Sequence, residues 1–326
     1  MNLLITGGAG FIGTNFLKTV KSKRCRKLMV VMDNLAYAAN YRQFKRDVYD
    51  HPKLKFTNVD IRDARYVEAA FEKYGITHVM HLAEGSHVHD SASNSKKIIE
   101  TNILGTYNLL EASKKYGVER FHHVSSNEVF QQLNDPKRKD RFTEDSTYAP
   151  RSPYSASKAS CNHLALSYHR AYGLPVTMSY ASNNYGPYQN EAKFVPKIIN
   201  SILNRKKIPV YGNGKNIRDW IHVQDHCEAL WKILTKGKLG ESYAIGAECE
   251  KMNLEVVYAI CDILKVEPDV CVDFVEDKDG HDFRQAMDSK KIRKELRWKP
   301  KITFDKGIAK TVSHYKYRYD NEFEDL

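Results

Sequence analysis

The chain has 326 residues, of which 42% are hydrophobic and 28% charged, so its composition excludes a disordered or fibrous protein. It lacks the ~20 consecutive apolar residues of a membrane-spanning helix and the N-terminal pattern of a secretory signal, so we expect a cytoplasmic protein without membrane association. The net charge of +11 is dispersed and no DNA-binding motif accompanies it, so we expect no nucleic-acid partner.

The first half of the chain alternates short apolar runs with amphipathic segments, which predicts βαβ units and a parallel sheet. We predict six buried strands, at residues 3–5, 28–32, 56–59, 78–82, 121–125 and 176–180. We predict helices at residues 14–20, 64–74 and 98–116, and a long helix that begins near residue 157. Beyond residue 180 the alternation becomes less regular, which indicates a second, smaller lobe.

A glycine-rich motif lies between the first predicted strand and the first predicted helix. Gly7, Gly10 and Gly13 would allow a tight turn whose backbone N–H groups approach a pyrophosphate at the helix N-terminus. Asp33, at the end of the second strand, is placed to accept hydrogen bonds from the adenosine ribose and to repel a 2′-phosphate, which favours NAD over NADP. The residues predicted to contact the cofactor are Gly7, Gly10, Phe11, Ile12, Gly13, Asp33, Asp60, Ile61, Tyr154 and Lys158.

These features predict an α/β fold, namely a Rossmann-type doubly wound parallel sheet with a smaller C-terminal substrate-binding lobe. We place the NAD-binding domain at residues 1–180 and the second lobe at residues 181–326. Some segments of the second lobe are expected to return to the first domain.

A tyrosine and a lysine lie four residues apart on one face of the long helix, at Tyr154 and Lys158. A nearby ammonium group lowers the pKa of a phenol, so Tyr154 is predicted to act as a base near neutral pH. Together with the glycine motif and Ser126 at the end of a strand, the pair resembles the Ser-Tyr-Lys triad of short-chain dehydrogenases.

Four separated segments make the resemblance more specific. They lie at residues 142–150, 152–160, 182–188 and 217–220. They resemble the nucleotide-sugar 4,6-dehydratases of the extended short-chain dehydrogenase family, closest to the dTDP-glucose 4,6-dehydratase group. The resemblance implies that Tyr154, assisted by Lys158 and Ser126, takes the proton of the sugar 4-hydroxyl while hydride passes to NAD⁺. Glu128 matches the base that removes the C5 proton, and water then leaves from C6.

The resemblance also implies the partners of the chain, a nucleotide-diphosphate sugar and a second copy of itself. The homodimer would form through a four-helix bundle, for which residues 98–116 and 156–172 are the candidate helices. The residues predicted to contact the substrate are Ser86, His87, Asn183, Lys193, Arg218 and Arg284.

Three departures from the family pattern lie where the hexose would sit. Asn127 replaces an aspartate that acts as the acid toward the 6-hydroxyl, and Gln285 replaces a tyrosine. Glu84 and Gly85 stand where the family has alanine and glutamate, and Gly85 would make room for a substituent such as a 2-acetamido group. Because asparagine carries no transferable proton, we predict that Glu128 performs both proton transfers and that Asn127 orients the sugar.

The sequence leaves the substrate open among dTDP-glucose, UDP-glucose and UDP-N-acetylglucosamine. The alternative activities are those of a nucleotide-sugar 4-reductase or epimerase, or of a decarboxylase, in the same superfamily. A protein that binds NAD and a sugar nucleotide without catalysis is a further alternative. No metal site is predicted.

Overall fold

The computed structural model describes residues 1–22, 28–36, 39, 41–49, 51–85, 94–133, 140–277 and 282–321. In chain order, the strands are β1 (Leu3–Thr6), β2 (Met29–Asp33), β3 (Leu54–Asn58), β4 (His78–His81), β5 (Arg120–Ser126), β6 (Val176–Ala181), β7 (Asn183–Tyr185), β8 (Ile208–Tyr211), β9 (Ile217–His222), β10 (Ser242–Ile245), β11 (Glu250–Met252), β12 (Val272–Val275) and β13 (Arg284–Gln285).

The helices are, in chain order, α1 (Phe11–Ser22), α2 (Tyr41–Phe44), α3 (Ala64–Tyr74), α4 (Ser95–Ile99), α5 (Gly105–Lys115), α6 (Pro153–Tyr172), α7 (Phe194–Leu203), α8 (Val223–Lys236), α9 (Asn253–Leu264), α10 (Pro268–Cys271), α11 (Lys290–Leu296) and α12 (Phe304–Asn321). A π-helical turn follows α2 at Lys45–Tyr49, and another joins α4 to α5 at Glu100–Leu104. A short 3₁₀ turn, Asn127–Val129, follows β5. Within the described parts of the chain, no helix combines the length and the apolar composition needed to cross a bilayer.

The central sheet has seven strands in the order β3-β2-β1-β4-β5-β6-β10, and all of its pairings are parallel. Its strands are apolar on both faces: Leu4 and Val30 pack into one core layer, whereas Leu3 and Val31 pack into the other. Burial on both faces explains why the strands are nearly continuous apolar runs. The predicted α/β Rossmann-type fold is confirmed, and all six predicted strands lie in this sheet.

The chain beyond residue 181 contributes both to the central sheet and to a smaller set of strands. β10 pairs with β6 at the edge of the central sheet. β9 lies between β11 and β13 and also pairs with β7, while β8 pairs with β12. Trp220, Val256 and Ile308 belong to the hydrophobic cluster beneath these small sheets. A domain boundary near residue 180, with β10 returning to the first domain, remains our proposal.

α6 begins at Pro153, four residues earlier than the sequence predicted. The Ser152 hydroxyl accepts a hydrogen bond from the Ser155 N–H at 3.0 Å, and the Ser155 hydroxyl accepts one from the Ser152 N–H at 2.9 Å. A capping box followed by proline at the first helical position is a strong helix start. This start places Tyr154 in the first turn of α6 and Lys158 in the second.

Candidate active site

The residues predicted to be functional follow the carboxyl ends of the central strands. The glycine motif follows β1, Asp33 ends β2, Ser126 ends β5, and Glu128 lies in the turn after β5. Because all strands are parallel, these ends meet at one edge of the sheet, where α/β proteins bind their ligands.

The glycine turn between β1 and α1 is packed too tightly for side chains. Gly7 has φ +67°, and a Cβ there would lie 2.8 Å from the Cα of Ala83. A Cβ on Gly13 would lie 2.3 Å from the carbonyl oxygen of Gly7. Gly10 begins the entry into α1, and Phe11 and Ile12 occupy its partly exposed first turn. A close turn at a helix N-terminus fits the pyrophosphate of a dinucleotide.

Two carboxylates lie at the side of this turn where adenosine is expected. Asp33 Oδ2 accepts a hydrogen bond from the Ala9 N–H at 3.0 Å, which ties the end of β2 to the glycine turn. Asp60 accepts hydrogen bonds from Arg62 and from Asn34 Nδ2, which hold its pKa at about 2 against the effect of burial. Ile61 is buried beneath α5. These residues fit the adenosine part of NAD, and their contact with it remains a proposal.

Tyr154 and Lys158 both contact a carboxylate that the sequence did not single out as functional. The Tyr154 hydroxyl lies 3.2 Å from each carboxylate oxygen of Glu84 and donates to that group. Lys158 Nζ lies 2.9 Å from Glu84 Oε2 and donates a hydrogen bond to the Val124 carbonyl oxygen at 2.7 Å. The available sequence signal was a carboxylate at a family alanine position, directly after a central strand.

Lys158 was predicted to lower the pKa of Tyr154, but other groups determine this pKa in the structure. Burial, followed by the negative charges of Glu84 and Glu128, raises the pKa of Tyr154 well above its ordinary value, and Ser126 opposes them only in part. The physical reasons are that burial disfavours the phenolate and that the Lys158 ammonium is paired with Glu84. The expectation of a lowered pKa for Tyr154 is therefore wrong for this arrangement.

Glu128 lies in the 3₁₀ turn after β5, with its charge near two cations from the smaller lobe. Burial raises the pKa of Glu128, whereas Lys193 and Arg218 lower it and Glu84 raises it further. Burial also lowers the pKa of Arg218 to about 10. A carboxyl group whose pKa is raised toward neutrality is suited to both accepting and donating protons.

Two departures from the family pattern contact each other. Asn127 is buried, and its Nδ2 donates a hydrogen bond to Gln285 Oε1 at 3.3 Å. Gln285 Nε2 in turn donates to Asp282 Oδ2 at 2.8 Å. Ser126 Oγ accepts a hydrogen bond from the Glu128 N–H at 3.2 Å, which shapes the turn that carries Glu128. The replacements at positions 127 and 285 therefore form one polar chain.

The predicted substrate residues have different environments. Asn183 in β7 has a buried Oδ1 that accepts no hydrogen bond from the described residues, as expected of a group that serves a ligand. Arg284 is fully buried, and its guanidinium pairs with Glu250 at 2.6 Å and with Asp140 at 2.9 Å. These carboxylates occupy the N–H groups of the Arg284 guanidinium, which was predicted to bind phosphate. Arg218 therefore remains the arginine that we predict to bind phosphate. Ser86 and His87 lie outside the described residues.

Gly85 does not open space toward a sugar substituent. A Cβ at this position would lie 3.2 Å from Ile98 Cγ1, so the missing side chain faces α4. The Gly85 N–H donates a hydrogen bond to Asn102 Oδ1 at 2.7 Å, and Asn102 lies in the π-helical turn between α4 and α5. The structure therefore gives no support to the enlarged pocket that was expected here.

Comparisons with known proteins match nearly the whole chain. The family described as GDP-mannose 4,6 dehydratase matches residues 4–311. The dTDP-glucose 4,6-dehydratase of Haemophilus influenzae is 44% identical, and the match covers 97% of this chain and 98% of that protein. A dTDP-glucose 4,6-dehydratase from Streptomyces venezuelae, solved with NAD, has a TM-score of 0.93 at 37% identity and covers 99% of this chain and 98% of its own. The Thermus thermophilus UDP-glucose 4-epimerase with NAD has a TM-score of 0.88 at 30% identity and covers 97% of this chain and 99% of its own.

Proposed function

Because the chain belongs to the GDP-mannose 4,6-dehydratase family, we propose that it converts dTDP-glucose to the corresponding 4-keto-6-deoxyhexose. The chain is an NAD-dependent nucleotide-sugar 4,6-dehydratase, which is a hydro-lyase. The choice of dTDP-glucose over UDP-glucose and UDP-N-acetylglucosamine is supported by the relatives of more than 40% identity, which are named for that substrate.

One observation supports dehydration over simple 4-epimerisation. Glu128 lies near enough to Tyr154 that its charge raises the pKa of the phenol. A tyrosine suffices to deprotonate a sugar hydroxyl, whereas an elimination also needs a group that removes a carbon-bound proton. The pairing of Tyr154 with Glu128 supplies both functions at one edge of the sheet.

The residues of the chain divide the proton transfers between them. Tyr154 accepts the proton of the 4-hydroxyl. Glu128 then removes the C5 proton and delivers it to the departing 6-hydroxyl on the same face of the sugar. The glycine turn and Asp33 would hold NAD, which would supply the oxidation at C4 and the later reduction at C6. C5 then takes up a proton from solvent, and Tyr154 releases to solvent the proton that it accepted.

The nucleotide diphosphate would lie between the central sheet and the smaller lobe. Arg218 in β9 and Lys193 before α7 supply positive charge near Glu128, and a guanidinium fork suits phosphate oxygens. Asn183 in β7 supplies an amide whose oxygen has no partner among the described residues. These contacts support a diphosphate position close to the proposed C5 base.

Incubation of the purified protein with each of the three nucleotide sugars tests the proposal. We expect dTDP-glucose to lose one water, detected by mass spectrometry, faster than UDP-glucose or UDP-N-acetylglucosamine. Preference for a UDP-sugar would refute the substrate assignment. Reduction or epimerisation of a 4-keto sugar nucleotide, with all three hexoses unchanged, would contradict dehydration itself.

We also propose that the cytoplasmic enzyme is a homodimer that pairs through α5 and α6. Apolar side chains that are 43–60% exposed occur along the segment from α4 to α5 and at the end of α6, namely Ile99, Leu104, Tyr107 and Tyr172. The two helices pack side by side, so a second copy could cover both and complete a four-helix bundle. Light scattering should give twice the chain mass for the native protein and less for Leu104→Glu. A monomeric native protein would exclude this proposal.

A further inference from the structure

Glu84 places a negative charge in direct contact with the two residues that start the reaction, at a position where the family pattern has alanine. We propose that Glu84 is a positioning residue that keeps the hydroxyl proton on Tyr154 and engages the ammonium group of Lys158. When Glu84 leaves these two residues, Tyr154 can lose its proton at a lower pH. The contact therefore determines the pH at which oxidation of the sugar 4-hydroxyl begins. The consequence for the reaction rests on the proposed function, whereas the effect on Tyr154 stands on the contacts alone.

The geometry makes Glu84 the centre of a three-residue cluster. Its carboxylate accepts from the Tyr154 hydroxyl, with both oxygens at 3.2 Å, and it pairs with Lys158 Nζ at 2.9 Å. A phenol that donates to a carboxylate is stabilised in its protonated form. The same carboxylate offsets the ammonium charge that would otherwise favour the phenolate. Glu84 therefore acts against Tyr154 ionisation through two contacts at once.

Within the described parts of the chain, the other charged groups around Tyr154 do not reverse this effect. Glu128, from the turn after β5, raises the pKa of Tyr154 further. His81 at the end of β4 and His123 in β5 face Lys158, but burial lowers the pKa of each well below its ordinary value, so both are neutral. Cys161, one turn after Lys158, has a raised pKa and is uncharged near neutral pH. Lys193 and Arg218 act on Glu128.

The contact is built so that it can open. Glu84 lies in the loop after β4, and its side chain is 26% exposed, whereas Lys158 is only 4% exposed. The adjoining backbone is fixed, because the Gly85 N–H donates to Asn102 Oδ1 at 2.7 Å. The side chain can therefore turn toward solvent without movement of the strand. Once it leaves, the Lys158 ammonium loses this carboxylate partner and remains one helical turn from Tyr154.

The first experiment measures Tyr154 directly, in the protein as purified and without added substrate. Ultraviolet difference titration of native protein against Tyr154→Phe isolates the phenolate signal of this one tyrosine, and the same subtraction is made in a Glu84→Ala background. We expect the titration midpoint to fall by about 1–3 pH units in Glu84→Ala, the usual effect of removing a like charge at this distance. Glu84→Gln should behave similarly, and Glu84→Asp should stay closer to the native protein. An unchanged midpoint would overturn the proposal.

The second experiment measures the pH dependence of the first half-reaction as the rate of NADH formation in a single turnover. In Glu84→Ala and Glu84→Gln we expect the rising limb of the profile to move to lower pH by the same shift, with a faster rate at neutral pH. Glu119→Gln is a matched control, because Glu119 is an exposed carboxylate before β5, at the opposite edge of the sheet. A profile that does not move, or activity lost at every pH, would contradict the proposal.

Failure of the proposed function gives a different result. If the native protein dehydrates none of the nucleotide sugars while the titration of Tyr154 still shifts in Glu84→Ala, the proposed function fails and the action of Glu84 on Tyr154 stands.

Discussion

At the scale of single residues, proton transfer in this site depends on how each carboxyl group is surrounded. Glu128 is desolvated by burial, and its pKa is raised even though Lys193 and Arg218 act in the opposite direction. Asn127, beside it, carries no proton to give, and its amide donates to Gln285. Glu128 is therefore the residue whose loss should stop the elimination.

We expect Glu128→Gln to lower the rate of water loss by roughly 10²–10⁴-fold, the usual contribution of general acid–base catalysis. Oxidation at C4 should persist because Tyr154 is intact, so NADH should accumulate instead of being consumed. Mass spectrometry of the sugar nucleotide and the absorbance of NADH measure the two steps separately. A native rate of dehydration in Glu128→Gln would show that another group removes the C5 proton.

Asn127→Ala is the matched comparison for Glu128→Gln. It removes the hydrogen bond to Gln285, worth about 1 kcal/mol, and a long one from the Ser126 hydroxyl at 3.5 Å, so we expect at most about a tenfold change in rate. Asn127→Asp supplies a separate acid and should retain dehydration. If Asn127→Ala were inactive while binding the sugar nucleotide normally, the division of labour that we assign to Glu128 would be wrong.

At the scale of elements, the junction of β1 with α1 combines packing and cofactor binding. Helix α1 can begin so close to the strand because residue 13 has no side chain, since a Cβ there would lie 2.5 Å from the Cα of Gly8. The Asp33 carboxylate fixes the same turn through the Ala9 N–H. Any substitution that separates the helix from the turn should therefore also disturb the dinucleotide site.

We expect Gly13→Ala to lose NAD on purification and to unfold at lower temperature, because either the turn or α1 must shift to relieve the contact with Gly7. Chromatography of the supernatant after denaturation measures the retained cofactor. Gly117→Ala is the control, because Gly117 has φ +61° but no atom of the described residues lies within 4 Å of the added Cβ. It should lose about 1–2 kcal/mol of stability from the strained backbone and keep its NAD. Equal NAD content in both variants would argue against the role of Gly13.

At the scale of the whole molecule, the core contains several buried histidines. Burial lowers the pKa of His81, His122 and His226 to about 3, and each ring has a hydrogen-bond partner, such as Thr177 for His122. In the unfolded chain these rings take up protons below about pH 6.5. The unfolded state then binds more protons than the folded state, so stability is complete above pH 6.5 and falls as the pH drops toward 3.

We expect the free energy of unfolding to fall by about 4 kcal/mol per pH unit below pH 6 from these three histidines, since one proton corresponds to about 1.4 kcal/mol. Asp219 opposes them, because burial raises its folded pKa to about 6. Burial also raises the pKa of Asp33, Glu128, Glu144 and Asp225, which act with Asp219, and lowers the pKa of His123 and His222, which act with the three histidines. Denaturant titrations at several pH values measure the slope. His122→Gln should reduce it by about 1.4 kcal/mol per pH unit, whereas His163→Gln, at an exposed position, should leave it unchanged. Equal slopes for both variants would contradict this explanation of acid sensitivity.

The sequence by itself determined the central sheet and the reaction class, because both depend on local order along the chain. Apolar runs buried on two faces identify the strands without knowledge of their neighbours, and Gly7 to Gly13 directly after β1 identifies the dinucleotide turn. The spacing of Tyr154 and Lys158 places both on one helical face. β10 was missed because its four residues lie in the less regular half of the chain.

Only the tertiary structure decided what surrounds each functional group. The sequence places Glu84 and Tyr154 seventy residues apart, yet burial and then the charge of Glu84 raise the Tyr154 pKa, which the local pattern predicted to be lowered. The sequence predicted that Arg284 binds phosphate, but its guanidinium pairs with Glu250 and Asp140. The space expected at Gly85 is filled by Ile98. Backbone geometry follows from neighbouring residues, whereas charge, burial and free volume depend on atoms that distant segments bring together, so the pattern of one segment cannot specify them.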